Sequence, residues 1–236
     1  MINYFLFLVL GLLPSLIWLI FYLKEDKNPE PKAMILKIFV YGMAITVIVG
    51  CLEYGLGRLL PLANFPDWLQ SFIYLFIIIA LTEEAAKYLV VRFTAFKSQE
   101  FDEPVDAMIY MMVAGLGFAA VENILILFPT TPPNVFQQAI FILIARFLSA
   151  TLLHALTAAN IGFFAACGFF KKKKRFRYVL IGLTISVILH GIYNFGIHRE
   201  DTNQQILIPA AVLICLFGIV MAQFFIARRL KQRRKT

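Results

Sequence analysis

The sequence predicts an all-α, polytopic membrane helix bundle of about seven transmembrane helices. Of the 236 residues, 61% are hydrophobic, and the mean hydropathy of +0.79 is too high for a soluble domain with a single core. The apolar residues also gather into runs of about 18 or more, the length that crosses a bilayer. These runs cover residues 3–23, 34–57, 68–93, 105–128, 136–170, 178–198 and 205–227.

The fifth run is too long for a single straight span. Residues 136–170 would extend about 52 Å at 1.5 Å per residue, whereas the hydrocarbon core is roughly 30 Å thick. We therefore expect this segment to tilt, to break near residues 146–149, or to begin as an interfacial helix. No repeat or long linker divides the chain, so residues 1–236 are expected to form one membrane domain.

The basic residues predict the orientation of the chain in the membrane. Most of the 22 lysines and arginines follow the first, third and fifth runs or form the C-terminal tail, whereas the opposite loops contain Arg58 and Arg199. Because basic residues accumulate in cytoplasmic loops, we expect a multi-pass protein of the cytoplasmic membrane, with its N-terminus outside and its C-terminus in the cytoplasm. The net charge of +8 is then explained by anionic lipid of the bilayer, and no nucleic-acid partner is expected.

Three charged residues, Glu83, Glu84 and Lys87, lie in the interior of the third run. A charge at the centre of a spanning helix costs about 2.5 to 3.5 kcal/mol on insertion scales, so these side chains need partners inside the protein. Glu83 and Lys87 are four residues apart, in the favourable order for an ion pair. Glu84 points about 100° away, so we expect Lys87 to serve only one acid. A structural ion pair would need one glutamate, and the second one indicates a functional site.

Other polar residues lie on single faces of the later runs. The fourth run has Glu122, with Asn123 beside it; the fifth has His154; the sixth has His190, followed one turn later by Asn194. By their distance from the ends of the runs, these side chains are expected to meet the two glutamates between the midplane and the outer leaflet, with Glu122 the shallowest. Such a cluster offers a carboxylate base, a second acid and donors for an oxyanion, which are the requirements for hydrolysis by water.

The polar residues form ordered motifs on successive runs: Glu83-Glu84-x-x-Lys87, Phe118-x-x-x-Glu122-Asn123, His154 and His190-x-x-x-Asn194. This order resembles the PrsW family of bacterial intramembrane proteases, distant relatives of the membrane-embedded CAAX prenyl endopeptidases, and it covers roughly residues 68–198. The resemblance implies cleavage of a single-pass membrane protein, such as an anti-sigma factor, in stress signalling. It also implies that Glu83, Glu84 and His190 are catalytic, and that Lys87, Glu122, Asn123, His154 and Asn194 line the site.

Several alternatives stay open at the level of the sequence. Either Glu83 or Glu84 is expected to be the base. No cofactor is expected, because no two candidate ligands share the i, i+4 spacing of many zinc sites; if a metal is present, its ligands would be His154, His190 and Glu122 as a Zn²⁺ site. Intramembrane charges also mark the pathways of proton- or ion-coupled transporters, and an inactive membrane scaffold is the third class.

Overall fold

The computed structural model describes residues 4–24, 30–128, 135–169 and 174–232. These residues form helices and short turns and contain no strand, which confirms the all-α prediction. The helices are α1 (Tyr4–Lys24), α2 (Lys32–Leu59), α3 (Asp67–Phe72), a π-helix (Ile73–Leu81), α4 (Thr82–Phe93), α5 (Pro104–Leu125), α6 (Val135–Leu148), α7 (Ala150–Phe169), α8 (Arg175–Ile197) and α9 (Thr202–Gln232).

Six helical stretches in the described part of the chain are long and apolar enough to cross a membrane. They are Phe5–Lys24, Lys32–Leu59, Pro104–Leu125, Phe136–Gly168, Arg175–Ile197 and Thr202–Arg229. The chain is therefore a multi-pass membrane protein, and six of the seven predicted spans coincide with these stretches. The remaining one, 68–93, is helical throughout but is built from α3, the π-helix and α4 in succession.

The π-helix leads directly into the acidic motif. A π-helix usually appears as a single turn, often at functional sites, whereas this one covers all of Ile73–Leu81. At its end the hydroxyl of Thr82 bonds to the Ile78 carbonyl and lies 3.0 Å from the Ile79 carbonyl. The same hydroxyl lies 3.0 Å from Glu53 Oε1 on α2. This junction fixes where α4, and hence the pair of glutamates, begins.

Helix α5 is the centre of the bundle, and its glycines set how closely the neighbouring helices approach. A Cβ atom on Gly117 would lie 2.2 Å from the backbone oxygen of Phe39 in α2, and one on Gly115 would lie 2.5 Å from that of His154 in α7. Both distances exclude any larger residue without movement of a backbone. The close approach, which small residues permit at membrane helix interfaces, brings the backbone of His154 against the middle of α5.

The long fifth run is interrupted, as one of the three expectations proposed. Helix α6 ends at Leu148 and α7 begins at Ala150, with Ser149 between them in a turn. The Ser149 hydroxyl donates to the Ala145 carbonyl at 2.6 Å. The break separates Arg146, in the last turn of α6, from His154 in the second turn of α7.

Candidate active site

Four buried side chains from three helices converge in the interior. Glu83 and Glu84 come from α4, His154 from α7 and His190 from α8, with exposed fractions of 4%, 0%, 2% and 2%. One nitrogen or oxygen atom from each lies within 4.8 Å of the others. The structure thus brings together both predicted glutamates and both predicted histidines, and it leaves them almost no contact with the surroundings.

One oxygen of Glu84 is held by three neighbours. Its Oε1 atom lies 2.8 Å from Lys87 Nζ, 2.8 Å from His190 Nδ1 and 3.0 Å from the hydroxyl of Thr157. Its other oxygen, Oε2, is buried and has no hydrogen-bond partner among the described residues. Glu84 therefore ties α4 to α7 and α8 through one oxygen, and its second oxygen remains available.

Lys87 contacts both acids, so the expectation that it would serve only one is wrong. Its Nζ atom lies 2.8 Å from Glu84 Oε1 and 3.4 Å from Glu83 Oε2. It also lies 2.6 Å from His154 Nδ1 and 4.6 Å from the centre of the Phe118 ring. Residues three and four positions apart are both neighbours on a helix surface, and the long lysine side chain reaches the space between the two carboxylates.

Glu83 faces both histidines without bonding to either. Its Oε2 atom lies 3.7 Å from His154 Nδ1 and 3.9 Å from His190 Nε2. These separations are too long for direct hydrogen bonds. They leave the carboxylate oxygen and the two ring nitrogens close enough for one water molecule or ion to bridge them.

Glu122 lies behind His154, at the rim of the site. Its Oε2 atom is 2.8 Å from His154 Nε2 and accepts from Arg146 Nη2 at 2.9 Å. Asn123 accepts from Arg146 Nε at 2.5 Å and donates to the Thr151 hydroxyl at 3.1 Å. The residues that could together hold a metal ion are Glu83, Glu84, His154 and His190, and a ligand role for Glu122 stays a prediction from the sequence.

His190 is held by Glu84, at 2.8 Å, and not by Ser186 or Asn194, which lie one turn before and one turn after it on α8. Ser186 donates to the backbone oxygen of Thr157 at 2.8 Å. Asn194, 9% exposed, is buried one turn beyond His190, but none of the described contacts joins its side chain to the imidazole. The three residues are spaced i, i+4 and i+8 and are all buried, but the spacing does not show which of them touch.

Three residues near the site were missed by sequence reasoning. Asn160 of α7 donates to the Ser186 hydroxyl at 2.9 Å and accepts from Gln223 of α9 at 2.7 Å, which joins three helices below the glutamates. Glu53, the acid bonded to Thr82, approaches from α2. They could have been found by the pattern that indicated the other site residues, namely single polar residues inside apolar runs. Glu53 is the only acid in the second run.

The fold and this buried cluster of glutamate, lysine and histidine define a membrane-embedded protein with a site of the hydrolytic type. A family model described as PrsW family intramembrane metalloprotease matches residues 30–226. The chain belongs to this family, and it is an intramembrane endopeptidase. The transporter and scaffold alternatives are therefore set aside.

Relatives named Protease PrsW match most of the chain. The protein of Geobacillus kaustophilus is 33% identical over 175 residues, which cover 74% of this chain and 72% of the relative. That of Oceanobacillus iheyensis is 29% identical over 213 residues, 89% and 91% of the two chains. That of Bacillus subtilis is 27% identical over 204 residues, 86% and 87% of the two chains. No solved structure matches the chain significantly.

Proposed function

We propose that the chain cleaves a single-pass membrane protein, such as an anti-sigma factor, with water activated between Glu83, His154 and His190. The observation that carries this proposal is that Glu83 Oε2 lies 3.7 Å from His154 Nδ1 and 3.9 Å from His190 Nε2. A general base must lie within hydrogen-bond reach of the proton it takes, or one water away. The burial of the site also keeps bulk water from the reacting groups.

The nitrogen and oxygen atoms of the site are suited to bind a metal ion. The family is described as one of metalloproteases. Histidines that bind a metal usually bond a carboxylate through their other nitrogen. Here His154 Nε2 faces Glu122, and His190 Nδ1 faces Glu84. Their remaining nitrogens point toward Glu83, and Glu84 contributes the buried oxygen without a partner. We therefore propose the Zn²⁺ alternative in place of the metal-free site that the spacing favours.

Each residue then has a defined part. His154, His190 and one oxygen of the pair Glu83–Glu84 would hold the ion, because a catalytic zinc keeps three protein ligands and an open position. The ion would supply Lewis-acid polarisation of the scissile carbonyl. The other carboxylate of the pair would accept the proton of the attacking water and pass it to the leaving amine. Lys87, bonded to both acids, fixes their positions.

The purified protein is expected to contain about one zinc per chain, because the site offers a single set of three ligands. Strong chelator should abolish cleavage of a membrane substrate, and added Zn²⁺ should restore it. Metal content measured in Glu83→Gln and Glu84→Gln separates their parts, since loss of a ligand lowers the zinc content and loss of the base does not. Zinc content and cleavage are measured on the same samples.

A metal-free mechanism rests on a different observation. Lys87 Nζ lies 2.6 Å from His154 Nδ1, so an ammonium group already provides positive charge beside the imidazole. In that case Glu83 alone would act as the base. Full activity in chelator, with no stoichiometric zinc in the active preparation, would select this mechanism over the metal site.

The orientation of the chain is proposed from the basic residues, with the N-terminus outside and the C-terminus in the cytoplasm. Single cysteines are introduced after residues 60, 130, 173 and 236, in a chain without Cys51, Cys167 and Cys215. A membrane-impermeant thiol reagent applied to intact cells should label the first two and leave the last two unlabelled, because basic loops stay on the cytoplasmic side. Labelling after residue 173 in intact cells would contradict this orientation.

A further inference from the structure

We propose that Arg146 is a positioning residue, which acts through Glu122 to hold His154 in the tautomer that carries its proton on Nε2. The inference rests on the proposed function, in which His154 Nδ1 faces the reaction. Arg146 lies outside the motifs on which the family resemblance depends. It comes from α6, on the far side of the break at Ser149 from His154.

The outer face of the imidazole indicates this tautomer. Arg146 Nη2 lies 2.9 Å from Glu122 Oε2, and the guanidinium group can only donate. The same carboxylate oxygen lies 2.8 Å from His154 Nε2. An oxygen that accepts from Arg146 presents lone pairs to its other neighbour as well, so the ring nitrogen is the donor and carries the proton.

The inner face of the ring indicates the same tautomer independently. Lys87 Nζ lies 2.6 Å from His154 Nδ1, and an ammonium group also has donors only. Nδ1 must therefore accept through its lone pair. Once Lys87 moves away, the same lone pair would be free toward Glu83 Oε2, 3.7 Å away, where the proposed chemistry needs either a metal ligand or an acceptor for water.

The geometry explains why an arginine is suited to this position. Its planar fork bonds Glu122 through Nη2 and the amide oxygen of Asn123 through Nε, at 2.9 and 2.5 Å. Glu122 is the least buried acid of the site, with 25% of its side chain exposed. Without the guanidinium group its carboxylate is free to turn toward the rim, and His154 Nε2 would lose its acceptor.

The tautomer can be read directly, because the chain contains only three histidines. In metal-free protein labelled with ¹⁵N-histidine and purified in detergent, the signals of His154 are assigned by their loss in His154→Ala. The wild type is expected to show the pattern with the proton on Nε2, and Arg146→Gln a mixture of tautomers. The kcat of Arg146→Gln should fall about 10- to 100-fold, as for other groups behind metal-binding histidines, with KM unchanged.

A double-variant cycle tests whether Arg146 acts through Glu122. In Glu122→Gln the amide oxygen can accept from His154 without a charged partner, so adding Arg146→Gln should change kcat less than about twofold. Equal losses from Arg146→Gln in both backgrounds would overturn the inference, as would a rise in KM alone, which indicates contact with substrate. Arg58→Gln removes a positive charge that lies over the Tyr54 ring, away from the site, and it is the control.

Arg146→Lys covers the case in which Arg146→Gln does not fold. Lysine retains a donor for Glu122, so this variant should keep the wild-type tautomer and most of the kcat; a loss of both would overturn the inference. The proposed function fails separately, if His154→Ala and Glu83→Gln still cleave. If those two variants are inactive while Arg146→Gln keeps its tautomer and kcat, only the role of Arg146 is refuted.

Discussion

Glu83→Gln and Glu84→Gln are each expected to lower substrate cleavage by about 10² to 10⁴-fold, the usual contribution of general acid–base catalysis. Glutamine keeps the shape of the side chain but removes its charge and its basicity. Both substitutions act at the centre of the site, where these carboxylates face His154 and His190. The measurement is cleavage of a co-expressed single-pass substrate in membranes, with the amount of inserted protease determined in the same samples.

The two variants should differ in stability. Glu84 accepts three contacts on one oxygen, whereas Glu83 has one long contact with Lys87, at 3.4 Å. Glu84→Gln is therefore expected to accumulate less than Glu83→Gln. Asp67→Asn makes the same chemical change at an exposed position in the same helical segment, and it should cleave normally. Full activity in both glutamine variants would exclude the glutamate mechanism.

His190→Ala is expected to be about as harmful as loss of a glutamate, at least about 10²-fold in cleavage. The substitution removes the ring whose Nδ1 lies 2.8 Å from Glu84 and whose Nε2 faces Glu83. It therefore removes one of the groups at the reaction point and frees the Glu84 carboxylate. The same membrane assay measures the loss, at matched protein levels.

His198→Ala is the matched control for that variant. His198 lies in the turn that ends the same helix, is exposed, and contacts the backbone oxygen of Asn194 through Nδ1 at 2.7 Å. Its removal should leave cleavage within about twofold of wild type, as is usual for a surface substitution. A loss comparable to that of His190→Ala would indicate that the helix end, and not the imidazole in the interior, controls activity.

Much of the architecture could be predicted because it depends on local sequence properties. Runs of apolar residues locate the spans without any tertiary information, and small residues such as Gly115 and Gly117 lie where neighbouring backbones approach closely. The length of the fifth run required some irregularity, but not a particular one. A break near Ser149 was one of three possibilities, and no residue pattern in the sequence favoured it over the other two.

The contacts within the site could not be predicted, because they depend on how helices rotate against one another. Helical spacing placed Lys87 opposite one acid, yet the side chain contacts both. Distance from the ends of the runs made Glu122 the shallowest residue, but it did not show that Glu122 contacts His154. Which ring nitrogen faces which carboxylate is determined by the packing of α5, α7 and α8, and a single sequence does not contain that information.

The π-helix changes the angular phase of the segment that contains the glutamates. Its wider winding gives each residue a smaller rotation than in an α-helix, and the difference accumulates over Ile73–Leu81. Positions in α3, such as Trp68, and positions in α4, such as Glu84, are therefore not related by the 100° per residue of a single α-helical wheel. In a substitution scan along this segment, the positions sensitive to substitution will therefore follow two periodicities. A helical wheel drawn with one period will assign some lipid-facing positions to the interior.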